Sequence, residues 1–214
     1  MLKPQILNAI PNVESFLRHC QRRDYSNKSV ILEEGALSDS LYLILEGSVS
    51  IQVQDEDDKD HLMVVSYLNP GDFFGEMGLF EDQPEARSAM VIAKNQCEVA
   101  EISYDRFHQI RSQYPDILFA IGRQMSVRLR QTTRKLKDLA FVDVSGRVAH
   151  TLLDLCKQPD AMTHPDGMQI KVTRQELGKI VGCSREMAGR VLKTLEEDGL
   201  VSVSGKTMVV YGTR

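Results

Sequence analysis

Apolar residues alternate with other residues at period two in two neighbouring segments near the N-terminus. They are Leu41, Leu43 and Leu45 in the first segment and Val49, Ile51 and Val53 in the second. This alternation predicts two β-strands, separated at Glu46-Gly47. Further strands are predicted over residues 61–68, 88–93 and 98–103, and the acidic run 55–58 is predicted to be a solvated hairpin tip. Many short strands at this spacing favour an antiparallel barrel or roll.

The spacing of apolar residues changes after Pro115, a residue that suits the first turn of a helix. Steps of four and three residues separate the seam positions Leu118, Gly122, Met125, Leu129, Thr132, Leu136 and Leu139. This pattern predicts a helix over 116–139, about 36 Å long, with the a/d seam of a two-stranded coiled coil. The seam packing on its own domain is the alternative, but the charged residues beside it favour a homodimer. The polar seam residue Thr132 either fixes the register or faces a ligand.

A helix-turn-helix is predicted over 173–195. Thr173 and Glu176 form a capping box, Gly182 supplies the turn, and Ser184 caps the second helix. That helix presents exposed charged residues near its N-terminus, and Arg and Glu side chains can read guanine and cytosine in a major groove. The alternative is a pair of amphipathic helices with a solvated face of mixed charge. The charged residues concerned are Arg185, Glu186 and Arg190.

Other elements flank this motif and together predict a winged helix. Asp143 or Ser145 is placed to cap the helix that follows a hinge. The C-terminal hairpin is expected to turn near Ser204-Gly205. The predicted segments are a hinge at 139–146, a helix at 147–157, a proline-containing loop at 158–167, a strand at 168–172 and a hairpin at 200–211.

Composition narrows the class of protein. A chain of 214 residues with 42% hydrophobic and 26% charged residues is expected to form one large globular domain or two modest ones. No apolar run approaches the roughly 20 residues that span a bilayer, and the N-terminus lacks the pattern of a signal peptide. Four cysteines without a C-x-x-C motif give no support for a metal site and fit reduced thiols in a cytoplasmic protein.

Net charge is weak evidence about a nucleic-acid partner. The formal net charge is −4, but residues 144–214 carry ten Lys or Arg and eight Asp or Glu. The acidic excess therefore lies in the rest of the chain. A nucleic acid would have to be bound by a local basic patch rather than by overall charge.

Residues 70–89, PGDFFGEMGLFEDQPEARSA, combine four features of an anion-binding site. Gly75 permits a tight turn whose N–H groups converge on an anion. Arg87 suits a bidentate phosphate contact and Ser88 adds a hydroxyl donor. Glu76 can accept from a ribose 2′-OH. A glycine-rich turn with an Arg–Glu salt bridge is the alternative, and the absence of G-x-x-x-x-G-K-[ST] excludes a Walker-type loop.

In this order, the segments resemble the CRP/FNR family of bacterial transcription regulators. The resemblance is greatest to the branch of the cyclic AMP receptor protein and the virulence factor regulator. It covers residues 19–214 and is most specific at GDFFGEMGLF…RSA, at LAFVDVSGR and from KQPDAMTHPDGMQ to GRVLK. It implies an α+β protein with a cyclic-nucleotide-binding β-roll (1–115), a long coiled-coil dimerisation helix and hinge (116–141) and a winged helix-turn-helix (142–214).

The resemblance also implies a role for individual residues. The cyclic AMP (cAMP) site would comprise Ser66, Gly75, Glu76, Arg87, Ser88, Arg128, Thr132 and Thr133, with Thr133 reaching in from the partner subunit. DNA would be contacted by Arg174, Ser184, Arg185, Glu186 and Arg190, at half-sites resembling TGTGA. A second nucleotide would lie near Ala140, Phe141, Gln175 and Arg185. The surface for RNA polymerase would include Thr163, His164 and Gly167.

Departures from the family pattern concern three places. The segment between Glu76 and Arg87 is one residue longer than in the type member and contains Pro84. Thr133 stands where the family has serine, which adds a methyl group near the nucleotide. Gln21 and Arg23 replace the histidines of one activating surface, so the resemblance does not extend to polymerase contacts through that surface.

The sequence thus predicts a cytoplasmic, cAMP-dependent transcription regulator, mainly an activator, that binds and bends double-stranded DNA as a homodimer and contacts RNA polymerase. No metal, membrane or enzymatic activity is expected. A regulator of the same fold that responds to cyclic di-GMP, or to no ligand, is the alternative. A hydrolase using Cys97 or Cys183 is disfavoured because no histidine lies near either in sequence.

Overall fold

The computed structural model describes residue 6 and residues 10–55, 58, 62–81 and 86–213. Two compact units divide the chain, residues 1–132 and 133–214. Several positions named above lie outside the described residues: Glu56 and Asp57 of the predicted hairpin tip, His61 of a predicted strand, the inserted Pro84 and most of the N-terminal segment.

The first unit is built mainly from short strands, as predicted. Its helices are α1 (Val13–Leu17), α2 (Tyr104–Ile110) and the first part of α3 (Pro115–Phe141), with 3₁₀ turns at Met77–Phe80 and Arg111–Gln113. Its strands are β1 (Gln21–Tyr25), β2 (Val30–Leu32), β3 (Ser40–Glu46), β4 (Val49–Gln54), β5 (Leu62–Leu68), β6 (Phe73–Phe74), β7 (Met90–Ala93) and β8 (Cys97–Ser103).

Two four-stranded antiparallel sheets form the roll, in the orders β1-β8-β3-β6 and β2-β7-β4-β5. The consecutive strands β3 and β4 belong to different sheets, so the chain crosses between sheets at Gly47. Gly47 has φ of +83°, and a Cβ there would lie 2.3 Å from the Gln96 carbonyl oxygen. Only glycine therefore fits this crossing.

Strand β3 differs from the simple expectation of one buried face. All its residues except Glu46 are buried. Leu41, Leu43 and Leu45 face a core cluster that includes residues of α1, α2 and α3, whereas Tyr42 and Ile44 face a second cluster between strands of the two sheets. Both faces are covered because helices pack on the outside of this sheet. The strand predicted at 88–93 is also shorter, since Ser88 and Ala89 lie in a bend.

Helix α3 presents two different faces. Ile117, Ala120 and Ile121 near its start are buried in the first core cluster. The seam residues Leu129 and Leu136 are 69% and 66% exposed. The N-terminal turns thus pack on the roll, as the alternative interpretation of the seam allowed, while the later seam positions are left uncovered within one chain.

The second unit contains a winged helix-turn-helix, as predicted. After the end of α3, its helices are α4 (Val144–Leu155), α5 (Arg174–Val181) and α6 (Arg185–Glu197). Its strands are β9 (Met162–His164), β10 (Gly167–Lys171), β11 (Val201–Ser204) and β12 (Thr207–Tyr211), in the order β11-β12-β10-β9. Strand β9 lies inside the segment predicted to be a loop.

Local hydrogen bonds at helix ends explain why residues 173–195 fold as two helices. The Thr173 and Ser184 hydroxyls accept from the N–H groups of Glu176 and Met187, each at 3.1 Å. The carbonyl of Gly178 accepts from both Gly182 and Cys183 at the end of α5. Of the two candidates for capping α4, Asp143 accepts from Gly146 N at 2.8 Å. These caps satisfy N–H groups that a helix leaves without intrahelical partners.

The two helical glycines of the helix-turn-helix predict opposite effects of alanine. A Cβ on Gly178 would lie 2.6 Å from the Cys183 carbonyl oxygen, whereas one on Gly189 would lie 3.4 Å from the flexible Arg174 side chain. Gly178→Ala is therefore expected to lower the free energy of unfolding by about 2 kcal/mol. Gly189→Ala is expected to raise it by up to about 1 kcal/mol. Equal effects would contradict this packing. The chain has no tryptophan, so circular dichroism is the suitable measurement.

Candidate functional site

Arg87 is a buried cation surrounded by neutral oxygen atoms. Its Nη1 donates to the Gly75 carbonyl at 3.0 Å and its Nη2 donates to the Ser40 carbonyl at 2.8 Å. The carboxylate of the exposed Asp39 approaches Nη2 only to 3.8 Å. Nε is buried and has no hydrogen-bond partner among the described residues. A buried guanidinium with an unused donor is an incomplete arrangement, and an anion would complete it.

Gly75 is required at this place for two reasons. Its φ of +72° is in the left-handed region, which favours glycine. A Cβ would also lie 2.7 Å from Arg87 Nη1 and 2.9 Å from the Ser40 carbonyl oxygen. The absence of a side chain therefore lets the guanidinium approach the backbone.

Glu76 pairs with Arg128 instead of Arg87. This buried carboxylate lies at the start of the 3₁₀ turn Met77–Phe80 and accepts from Arg128 Nη1 at 2.8 Å. Arg128, on α3, also donates to the carbonyl of Phe73 and to Gln124 Oε1. Among the described residues, the salt bridge of Glu76 is thus made with Arg128 and not with Arg87. The charge of Glu76 is compensated by a residue of the long helix, and Arg87 remains available.

A second α3 side chain supports the same loop. Gln124 Nε2 donates to the Gly71 carbonyl, and Gln124 Oε1 accepts from Phe73 N, both at 2.8 Å. Gln124 and Arg128 are one helical turn apart, so they reach the same side of α3. The loop that contains Gly75 and Glu76 is therefore attached directly to the helix that presents the exposed seam.

The other residues of the predicted nucleotide site are more loosely held. Ser88 is exposed, and its hydroxyl donates to Met77 Sδ at 3.4 Å, a weak acceptor that leaves the hydroxyl available. Ser66, on β5, is half-buried and donates to the Tyr67 carbonyl. Thr132 and Thr133 are exposed on α3. The observed geometry brings together Gly75, Glu76, Arg87 and Arg128, whereas no hydrogen bond joins Ser66 or Thr132 to that group among the described residues.

Sequence reasoning missed three neighbours of Arg87. Tyr104 accepts from Arg87 Nη1 at 3.1 Å, Ser40 supplies a carbonyl, and Ser38 hydrogen-bonds the Tyr104 hydroxyl. These residues lie 17 to 49 positions away from Arg87 along the chain. The order β1-β8-β3-β6 brings them near, and no local sequence pattern identifies them.

The predicted DNA-contacting residues lie on an exposed polar surface of the helix-turn-helix. Arg185, Glu186 and Arg190 project from α6 and are exposed. No hydrogen bond or ion pair of their side chains is found within the described part of the chain. Arg174 begins α5, and Ser184 caps α6 with its oxygen while its hydroxyl hydrogen can still donate. The arginines near the N-terminus of α6 are therefore suited to contact the phosphate backbone and the base edges of DNA.

The other proposed contact residues differ in exposure. Around the suggested second nucleotide, Ala140 and Gln175 are exposed and Phe141 is 82% exposed. On the proposed polymerase surface, Thr163 is exposed and His164 is half-buried. Gly167 is buried, and a Cβ there would lie 2.0 Å from the Val210 carbonyl oxygen. Gly167 therefore packs closely against the backbone of β12.

Chemistry based on cysteine or a metal finds no support in the described residues. Burial raises the pKa of the Cys97 and Cys183 thiols, which disfavours the thiolate needed by a nucleophile. No group of three or more His, Cys, Asp or Glu is placed to hold a metal ion within the described ranges. None of the described helices is both long enough and apolar enough to cross a membrane.

Comparisons with known proteins agree with this geometry. Residues 22–114 match the cyclic nucleotide-binding domain, and residues 146–211 match the Crp-like helix-turn-helix domain. The cAMP-activated global transcriptional regulator Vfr of Pseudomonas aeruginosa is 60% identical over 96% of each chain. Its counterpart CRP of Escherichia coli O157:H7 is 57% identical over 95% of this chain and 96% of its own.

A solved structure extends the likeness to the whole fold. The c-di-GMP-responsive global regulator CLP of Xanthomonas campestris superposes with a TM-score of 0.87 at 48% identity, over 94% of this chain and 99% of that one. A nucleotide-binding roll followed by a winged helix-turn-helix defines a class of ligand-responsive transcription regulators. Within that class, this chain belongs to the CRP/FNR family, in the branch that contains CRP and Vfr.

The ion pair between Glu76 and Arg128 predicts that substitutions at two arginines of α3 will affect stability differently. Arg128→Gln leaves the buried Glu76 carboxylate without its cation and is expected to lower the free energy of unfolding by about 2 kcal/mol. Arg130 is the control, since it is exposed and donates to Ser126 Oγ. Arg130→Gln is expected to change stability by less than about 0.5 kcal/mol. Urea titration followed by circular dichroism measures both, and a similar loss for both variants would refute the role of the pair.

Proposed function

We propose that this chain is a cytoplasmic, cAMP-dependent transcription regulator, mainly an activator, that binds and bends double-stranded DNA as a homodimer. The observation that carries the proposal is the buried Arg87, whose Nε is unpaired among the described residues. A cyclic phosphate carries a single negative charge, which matches this one cation. The membership of the family and the names of its relatives Vfr and CRP support cAMP as the ligand.

Within the pocket, Arg87 and Ser88 would bind the cyclic phosphate, and Gly75 and Glu76 would position the phosphate and ribose. Arg128 would hold Glu76 in place, as it does in the ion pair described above. Adenine would then face the helix α3. The remaining contacts would come from Ser66, from Thr132 and from Thr133 of the partner subunit.

A homodimer is supported by the uncovered apolar seam of α3. Leu129, Leu136 and Leu139 are 69%, 66% and 42% exposed, a pattern that a second copy of the helix would bury. Dimerisation would place two recognition helices on one duplex. Half-sites of a TGTGA palindrome in successive major grooves lie about 34 Å apart.

On DNA, Arg185, Glu186 and Arg190 would contact base edges, and Arg174 and Ser184 would contact phosphates. RNA polymerase would be contacted around Thr163 and His164. We propose that residues 1–115 form the nucleotide-binding domain, residues 116–141 the dimerisation helix and hinge, and residues 142–214 the DNA-binding domain. No enzymatic activity is included in the proposal.

Regulation would follow from a difference in affinity. If cAMP binds the DNA-competent arrangement more tightly than the other, it shifts the population toward that state. A coupling of about 1–3 kcal/mol is usual between two such sites, and DNA must then raise the affinity for cAMP by the same factor.

A second candidate is a regulator of the same fold that responds to cyclic di-GMP. The similarity to CLP, which is described as c-di-GMP-responsive, favours it. The higher identity to the two cAMP-activated relatives favours cAMP. The two ligands are readily separated by experiment.

The deciding experiment measures affinity for a TGTGA palindrome by fluorescence anisotropy with cAMP, cyclic di-GMP or no nucleotide. All titrations use one ionic strength, because phosphate contacts make DNA affinity salt-dependent. We expect cAMP to raise DNA affinity of the wild type about tenfold or more. Arg87→Leu should remain folded and dimeric but lose the response. DNA affinity that ignores cAMP would overturn the proposal, and a response to cyclic di-GMP alone would favour the second candidate.

Arg185→Ala tests whether α6 reads sequence. Loss of a bidentate contact to guanine is expected to cost about 1–3 kcal/mol on the cognate palindrome and to relax the choice of base at one position. Arg174→Ala is the comparison, since a phosphate contact weakens binding to all sequences alike. Anisotropy titrations against palindromes substituted at each position measure the difference. A uniform loss for Arg185→Ala would make it a phosphate contact.

A further inference from the structure

The hydroxyl of Tyr104 lies at the centre of the contacts that hold Arg87. It accepts from Arg87 Nη1 at 3.1 Å and donates to the Gly75 carbonyl. It also lies 2.7 Å from Ser38 Oγ. Tyr104 is buried at 9% exposure, and its ring centroid is 5.8 Å from Arg87 Cζ. One hydroxyl thus connects the arginine, the left-handed glycine and Ser38.

The hydrogen-bonding capacity of these groups fixes the direction of each bond. A guanidinium only donates and a carbonyl only accepts, so the single Tyr104 hydrogen is directed to Gly75. Ser38 must then donate to Tyr104. The phenol oxygen therefore makes one donated and two accepted bonds, which is its full capacity. Such a saturated group allows Arg87 little freedom to rotate.

We infer that Tyr104 is a positioning residue for the cyclic phosphate. By occupying Nη1, it orients the guanidinium so that the unpaired Nε remains the donor offered to the ligand. It acts on the ligand only through Arg87. This inference rests on the proposed function of Arg87 and adds a residue and a mechanism to it.

Tyr104 also connects the pocket to the core under α3. It is the first residue of α2, and Phe107 and Ile110 of that helix lie in the same core cluster as Ile117 and Ile121 of α3. A change in the Arg87 contacts on ligand binding would therefore be transmitted to α2, which packs against the start of α3. This path is separate from the one through Arg128.

Tyr42 provides a matched control. Its ring centroid is 6.0 Å from Arg87 Cζ, close to the value for Tyr104, and its ring stacks on Phe74. Its hydroxyl, however, donates to Glu101 Oε1 at 2.9 Å. Tyr104→Phe and Tyr42→Phe thus each remove one hydroxyl beside the same arginine, but only the first removes a bond to it.

Isothermal titration calorimetry of the full chain with cAMP tests the inference. Tyr104→Phe is expected to raise the dissociation constant about tenfold, because Arg87 loses a hydrogen-bond partner that orients it. Tyr42→Phe is expected to leave the dissociation constant within about twofold. Thermal unfolding of both variants checks that each is folded. Equal cAMP affinity for Tyr104→Phe and wild type would overturn the inference.

A double-mutant cycle separates positioning from general loosening of the structure. Arg87→Lys keeps a cation but removes the planar guanidinium that Tyr104 would orient. Its weaker binding is followed by competition with a fluorescent cAMP analogue. If Tyr104 acts through Arg87, Tyr104→Phe should add no more than about twofold in the Arg87→Lys background. A full additional loss would overturn the inference. Failure of the wild type to bind cAMP would instead refute the proposed function.

Discussion

The burial of one cation, the Arg87 guanidinium, is the constraint that determines the arrangement of the residues around it. Burying a charged group without a close countercharge is costly, and among the described residues Arg87 is contacted by neutral oxygens and by the carboxylate of Asp39 at 3.8 Å. Gly75 has no side chain and so lets the guanidinium approach the backbone, and the Tyr104 hydroxyl accepts a further hydrogen bond from it. An anion that paired with Arg87 would offset this cost, and would therefore gain more here than at an exposed arginine.

The same constraint determines the role of the neighbouring carboxylate. Glu76, which follows Gly75 in the chain, is buried and pairs with Arg128 of α3. Glu76 therefore does not pair with Arg87, and the loop that contains Gly75 and Glu76 is attached to the long helix. Because that helix also carries the exposed seam residue Leu129, the proposed ligand site and part of the proposed dimer contact lie on the same helix. Coupling between them requires no long chain of intermediates.

Local patterns in the sequence predicted much of this architecture. The caps at Thr173 and Ser184 and the 3–4 spacing of α3 depend on neighbours along the chain, and the structure contains both. The resemblance placed Arg128 in the nucleotide site, but no local pattern indicates its ion pair with Glu76, since Arg128 is 52 residues away and reaches Glu76 only after α3 packs on the roll. Tyr104 was missed for the same reason. Burial of β3 on both faces also depends on tertiary packing, which alternation at period two does not reveal. The individual roles of the nucleotide-site and DNA-site residues remain predictions.

The most direct test of the account is the arginine side-chain Nε–H signal of Arg87 in a ¹H–¹⁵N correlation spectrum, assigned by its loss in Arg87→Leu. We expect saturating cAMP to shift this signal and slow its exchange with water, because the phosphate then occupies Nε. Adenosine, which has no phosphate, should not produce this change. An Arg87 Nε–H signal that stays unchanged while cAMP saturates the protein would contradict the account.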